Sequence, residues 1–344
     1  MGSLLAKLAG SGRLDSLLAR KVPDLEYSGF EISGSERISI QFLGTASFVI
    51  EGAGKTLVFD PYVSRPSLKD HLHPLQPDRE KILREFPRAD DVFVGHAHSD
   101  HILDAPDLCL TRRARLIGSR SVCRTGRAAG VPEELLYEVQ RDGEVIGYED
   151  HGIEVTALAS RHGLVTKSAF LMSRINRDLS KYQVADPNRN PVPMFEDIDG
   201  NFGVMFPRET SKDMQWPAYT WEFGCGQVYD WLVEIEGVRI MHVDSARLEE
   251  NEFRGRRADV VCLCALGRQH SPGFTRQILE ELRPRVIIPC HWDNFFVKPD
   301  PTGRLVPLAS ARIRKWMREL QGFVHDYGFL EEIHLLRYGQ TYGF

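Results

Sequence analysis

Between Gly95 and Asp104 the chain reads GHAHSDHILD, and within six residues it offers four side chains of metal-ligand type: His96, His98, Asp100 and His101. Residues two apart on an extended segment point the same way, so His96 and His98 can present their imidazoles to one ion. Asp100 and His101 lie just beyond, where a turn or helix start can aim them at a neighbouring ion. Imidazole with carboxylate suits zinc, iron or manganese better than calcium. A lone histidine is usually a satisfied structural residue, but four ligand-type side chains in six positions are not accounted for in that way.

One loop cannot complete two coordination shells. Further ligand types stand at the ends of apolar, β-rich runs: His162 after VTALASR, Asp244 after VRIMHV and His291 after RVIIPC. An aspartate between two ions can bridge them with its two oxygens. Two divalent ions about 3.5–4 Å apart can share a hydroxide, and metal binding lowers the pKa of that water toward roughly 7. With Asp100 and Asp244 ionised and the histidines neutral, such a site stays slightly positive. It favours a transition state that gains negative charge, as in ester, lactone, amide or phosphodiester hydrolysis. Asp100 can also orient the attacking hydroxide and handle its proton.

The positioning elements follow from the pattern. From Ile38 the run ISIQFLGTASFVIEGAGKTLVFDP reads as hairpins with glycine-containing turns. DREKILREF reads as a helix, DDVFVG as the strand leading into the histidine loop, and RARLIGS as another strand. SVCRTGRAAG reads as a helix closing on Gly130. LLYEV, GEVIGY, IEVTALAS, QVYDWLVEIEG, VRIMHVDSA, ADVVCLCALG and RVIIPCHWD continue the strands. GFTRQILEELRP and ASARIRKWMRELQ add helices, and EEIHLLRYG reads as a final strand. Mixed helices and strands imply an α/β chain of layered sheets with helices outside. Residues 1–37 read as a leader or short amphipathic helix, and 38–344 as one domain. Within it, about 164–226 breaks the rhythm with Pro, Asn, Gly and aromatics. That stretch reads as an insertion whose aromatics either cover the site or form a satellite core.

Bulk properties narrow the class. At 42% apolar and 26% charged residues, the 344-residue chain can pack a sizeable core. A net charge of −5 without a basic stripe argues against a nucleic-acid partner. No apolar run is long enough to span a membrane, and the N-terminus lacks a signal-peptide core. Six cysteines, several in apolar runs, read as buried free thiols of a cytoplasmic protein. The expected partner is a small-molecule or lipid-like substrate, without membrane contact; a homo-oligomer is compatible with the sequence.

Other histidines receive structural readings. His71 and His73 repeat the HxH spacing in a polar loop and are expected to be exposed near the site mouth. His242 is expected in the core, and Trp292 and Asp293 are expected to pack beside His291.

The order HxHxDH, followed by His162, Asp244 and His291 at strand ends, resembles the metallo-β-lactamase superfamily over about residues 38 to 300. LVFDP, with Asp60, extends the resemblance. The family implies an αββα sandwich with metals along the edge between the sheets. Carried over, one ion takes His96, His98 and His162, the other takes Asp100, His101 and His291, and Asp244 bridges. Asp60 supports the metal loop from behind the ligands. FLGTASFVIEGAGKTLVFDP and RQHSPGFTRQILEELRPRVIIPCHW resemble the branch of L-ascorbate-6-phosphate lactonase-like enzymes and N-acyl-phosphatidylethanolamine-hydrolysing phospholipase D. There His270 falls near the pocket as a substrate contact and catalytic candidate.

The reading is therefore a metal-dependent hydrolase with two divalent ions, zinc first, with manganese or iron accepted by the same donors. The alternatives are an iron oxidoreductase on the same fold and a non-catalytic binding protein. The flavin-coupled diiron type carries a Glu in the HxHxD loop, and Glu is absent here. A complete ligand set argues against a protein that has lost catalysis.

Overall fold

The structure, a computed structural model, describes residues 25–29, 37–166, 184–185, 192–193, 204–206, 223–248 and 252–344. The first sheet contains β1 (Ser39–Phe42), β2 (Phe48–Gly52), β3 (Lys55–Phe59), β4 (Asp91–Val94), β5 (Arg115–Gly118) and β6 (Leu136–Glu138). Next come β7 (Glu144–Tyr148) and β8 (Ile153–Ser160), then the short strands β9 (Val165–Thr166), β10 (Val184–Ala185), β11 (Val192–Pro193) and β12 (Val204–Phe206). The second sheet is completed by β13 (Val228–Ile235), β14 (Val238–Val243), β15 (Val260–Cys264), β16 (Val286–Cys290) and β17 (Glu332–Ile333). The last strand, β18 (Thr341–Gly343), returns to the first sheet.

Both sheets have seven strands, in the orders β18-β1-β2-β3-β4-β5-β6 and β17-β16-β15-β14-β13-β8-β7. In the first, β18 to β3 are antiparallel and β3 to β6 parallel. The second repeats this division: β17 to β14 are parallel, and β14, β13, β8 and β7 antiparallel. The parallel strands β4, β15 and β16 are buried along their whole length, as expected of strands covered on both faces. Inner faces meet through large rings: Phe93 of β4 lies edge-on to Trp231 of β13, with centroids 5.2 Å apart. His242 of β14 sits between Phe48 and Phe59.

At the amino end of β4, a polar clamp centred on the buried Asp91 joins the sheets. Arg115 of β5 pairs with Asp91 of β4, and the Tyr148 hydroxyl of β7 donates to the same carboxylate. Helices Phe274–Leu282 and Ile313–Asp326 pack together, and Trp316 Nε1 donates to Thr275 Oγ1 at 3.2 Å.

Most elements lie where periodicity placed them, with three differences. EEIHLLRYG forms only the two-residue β17, while the chain closes on β18, which pairs Ser39 with Gly343. The helix start expected for Asp100 and His101 is the short helix Ser99–Ile102, and a second helix behind it, Ala105–Arg112, was not anticipated. At the N-terminal boundary, Leu25 is buried, and the Ser28 N–H donates to the Leu335 carbonyl at 3.0 Å. Residues 25–29 thus pack on the domain. The remainder of the leader and most of 164–226, with its role as a cover, lie outside the described residues. All six cysteines are buried free thiols.

Asp104, at the start of the second of these helices, accepts the N–H groups of Val63 and Ser64 at 2.5 and 2.8 Å. Burial nevertheless raises its pKa from 3.8 to about 6. A raised carboxyl contributes stability that is fully present below its unfolded pKa and is lost as pH rises through the folded value. Between pH 4 and 6, this residue makes the fold less stable by about 3 kcal/mol. Asp104→Asn keeps a carbonyl acceptor and removes the titration. Its unfolding free energy should lack that decline across the window, as denaturant titrations of both proteins at pH 4 and pH 6.5 would measure.

Candidate metal centre

Every ligand-type residue named from the sequence lies just past the carboxyl end of a strand. Asp60 follows β3, the His96–His101 loop follows β4, His162 follows β8, Asp244 follows β14 and His291 follows β16. Ligands in open α/β sheets bind at this end. Gly95 links β4 to the loop. Its N–H donates to Asp60 Oδ1 at 2.8 Å, and its carbonyl accepts from Tyr229 N at 2.9 Å. A Cβ at this position would stand 2.3 Å from Asp244 Cγ, so only glycine lets the carboxylate approach.

Three groups of donor atoms converge within 4.8 Å of one another: His96, His98 and His162; His96, His101 and Asp244; and Asp100, His101 and His291. His96 Nε2 lies 2.9 Å from His98 Nδ1, and the His162 ring stands 4.7 and 4.6 Å from those two rings. The Nε2 atoms of His101 and His291 are 3.2 Å apart, with Asp100 Oδ2 3.4 Å from the latter. Asp244 joins the groups: Oδ2 lies 2.5 Å from His96 Nδ1, and Oδ1 lies 2.9 Å from His101 Nδ1. Asp60 stands behind, its Oδ2 3.4 Å from His101 Nδ1 and 3.6 Å from His242 Nε2.

Protonation suits cation binding. Burial drives His96 and His98 below their ordinary pKa and His162 to about 3, leaving neutral imidazoles. His162 Nδ1–H donates to the Gly163 carbonyl at 2.7 Å, which leaves Nε2 as the acceptor. Burial opposes ionisation of Asp100, but His101 and His291 pull its carboxyl down. Asp244 is likewise lowered, by His96 and His101 against burial. Burial lowers His101, yet Asp244, Asp100 and Asp60 together hold it well above its ordinary value. This concentration of buried negative charge around one imidazole is what a bound cation relieves. Burial and the neighbouring Asp244 raise Asp60, as expected of a carboxyl held behind the ligands rather than among them.

His270 ends a turn, Arg268–His270, that begins after Gly267. Its neighbour Gly267 packs on Gly163, Leu164 and Ala246, next to the loops of His162 and Asp244. His71 is not the exposed loop residue expected. It is buried, its Nδ1–H donates to Ser67 O at 3.0 Å, and its ring meets Phe296 edge-on at 4.8 Å. The polar loop around it folds back on the Phe295–Phe296 pair, whose first ring touches His291. His73 remains exposed.

Sequence reasoning missed Arg65. Its guanidinium is fully buried in an ion pair with Asp293, two residues past His291. No nearby pattern marks an arginine after a strand as buried, because most are solvated.

Residues 45–186 match the family model of the β-lactamase superfamily domain. A protein of Polaromonas sp. named UPF0173 metal-dependent hydrolase is 28% identical over 307 residues, 86% of this chain and 90% of its own. Among solved structures, a possible metal-dependent hydrolase from Veillonella parvula superposes with a TM-score of 0.52 at 12% identity, covering 90% of this chain and 100% of its own. A metallo hydrolase from Ignicoccus hospitalis gives 0.51 at 17% identity, covering 89% and 98%. These two show a common fold. With paired sheets and ligand-type residues at their carboxyl ends, the chain is similar to the β-lactamase superfamily domain over residues 45–186 and shares its fold with these metal-dependent hydrolases.

Proposed function

We propose that this chain, a metal-dependent hydrolase, holds two divalent ions and cleaves an ester, lactone, amide or phosphodiester bond of a small or lipid-like substrate. The observation that carries this is the convergence of two three-residue groups joined through Asp244. His96, His98 and His162 would hold one ion, and Asp100, His101 and His291 the other. Asp244, which reaches one histidine of each group, would link them. Two such ions supply Lewis acidity and a water acidic enough to ionise near neutral pH. The donor set fits zinc first, and manganese or iron as well.

The chain's own groups do the rest. Asp100, held ionised, orients the attacking water and accepts its proton on a carboxylate oxygen. Asp60 keeps His101 oriented through Nδ1 and anchors the loop through Gly95 N–H. His270, on the turn beside the His162 and Asp244 loops, contacts the substrate. Free buried thiols suit a reducing compartment, so action in the cytoplasm is part of the proposal. Among the described residues no helix is long and apolar enough to cross a membrane.

The test is elemental analysis of protein purified without added metal, followed by hydrolysis screens with lactones, phosphodiesters and N-acyl amides. About two zinc or manganese ions per chain, with turnover lost in His98→Ala, is the expected result. About one iron with an oxygen-dependent reaction would replace this reading, and no metal even after titration would end it.

A further inference from the structure

His291 lies in the left-handed backbone region, at φ +50°. That conformation costs a residue with a side chain on the order of 1–3 kcal/mol and persists only where its surroundings enforce it. The enforcement is visible. His291 N–H donates to the Thr45 carbonyl at 2.6 Å. Thr45, itself at φ +54°, donates its N–H to Asp293 Oδ1 at 2.9 Å. Asp293 Oδ2 is ion-paired with Arg65, and both side chains are fully buried. The Arg65 fork also donates to Thr45 Oγ1 at 3.1 Å and to the Val297 carbonyl at 2.9 Å. Gly44 makes room for it, since a Cβ there would meet Arg65 Nη2 at 2.6 Å.

This knot ties together three loops: the turn between β1 and β2, the segment following β3, and the loop carrying His291. Its contacts lead to the backbone of one ligand group and touch none of His96, His98 or His162. A buried ion pair is a weak source of stability, because desolvation offsets much of its attraction. What it supplies here is direction. Arg65 fixes Asp293, Asp293 fixes Thr45, and Thr45 fixes the His291 backbone.

We infer that Arg65 and Asp293 are positioning residues that set the ion affinity of the Asp100–His101–His291 group, and not that of the His96–His98–His162 group. The inference rests on the two-ion reading proposed above. Two conservative variants test it. Asp293→Asn keeps size and an acceptor for Thr45 N–H but removes the charge facing Arg65. Arg65→Lys keeps the charge but loses the planar fork. Tyr148→Phe is the control, since it removes a hydrogen bond to buried Asp91 at the other end of β4.

Metal-free full-length protein is titrated with Co²⁺, followed by visible absorption and calorimetry, with a thermal melt of each variant. The expected result is that wild type binds two ions. In both variants one ion should bind as in wild type and the other about 10–100-fold more weakly, the usual effect of losing a ligand's supporting partner. Tyr148→Phe should melt at lower temperature with both affinities unchanged. Undiminished binding of both ions in the variants would overturn the inference, and so would equal weakening of both, which marks a general brace. Wild type that takes up fewer than two ions would overturn the two-ion reading itself and the inference with it. Should Arg65→Lys fail to fold, Thr45→Val removes one acceptor of the fork and leaves the ion pair. It should weaken the same single ion by roughly two- to tenfold, and an unchanged affinity would count against the knot.

Discussion

On the two-ion reading, a single methyl group at position 95 is expected to cost the protein both ions. In Gly95→Ala the new Cβ would occupy space 2.3 Å from Asp244 Cγ and 2.5 Å from its Oδ1. The backbone cannot easily retreat. Gly95 N–H is held by Asp60, and its carbonyl holds Tyr229 N–H at the start of β13. Asp244 cannot retreat either, because its own N–H donates to Asp230 Oδ1 at 2.8 Å. Overpacking of this kind costs about 1–3 kcal/mol of stability, so the variant should fold, with a lowered melting temperature. The displaced carboxylate lies between His96 and His101, so the damage reaches both ligand groups. Metal content by elemental analysis should fall well below the wild-type value, and hydrolysis should fall by about a thousandfold, equivalent to some 4 kcal/mol of transition-state stabilisation. A variant with full metal content and ordinary turnover would show that Asp244 does not need its present place.

Asp244→Asn is the second large effect. The substitution keeps shape but replaces one carboxylate oxygen with an amide that donates and cannot ligate. Whichever way the amide turns, one of His96 and His101 loses its acceptor, and the buried negative charge is gone. A loss of activity of about a thousandfold or more follows if several kcal/mol of charge stabilisation go with the ions. The contrast with the knot variants is informative. Asp244→Asn should deplete both ions, whereas Asp293→Asn should weaken one. Parallel metal titrations distinguish the two, and retention of two tightly bound ions by Asp244→Asn would remove Asp244 from the centre.

The site was unusually legible because its side chains follow a rule that sequence displays. Buried strands read as apolar runs, and a polar ligand type directly after such a run marks a carboxyl end. His162, Asp244 and His291 were found in that way, and the GHAHSDH loop by the density of its donors. What escaped were relations between distant segments. Nothing in FDPYVSR states that Arg65 turns inward to meet Asp293, 228 positions later. Gly95 looks like an ordinary residue of a loop until the Asp244 carboxylate is placed against it. His71 was misplaced because a polar loop suggests exposure, whereas the Phe295–Phe296 pair gives its ring a wall to pack on. The three-residue β18 carries too little pattern to announce itself; its existence depends on the open edge of β1.

That last pairing bears on synthesis. β1 at the beginning of the first sheet is flanked on its outer side by residues 341–343, the final stretch before Phe344. A ribosome makes β18 long after β1, so in the meantime the nascent chain carries β1 as an uncovered sheet edge. Such edges recruit other strands. The same chain already displays the GHAHSDH loop while His291 has yet to be translated. The segment carrying β1 and the GHAHSDH loop therefore emerges with a sticky edge and an unfinished cluster of ligand-type residues, both completed only when His291 and β18 follow. Chaperone dependence in the cell should thus track how fast residues 291–343 are translated rather than the stability of the finished fold.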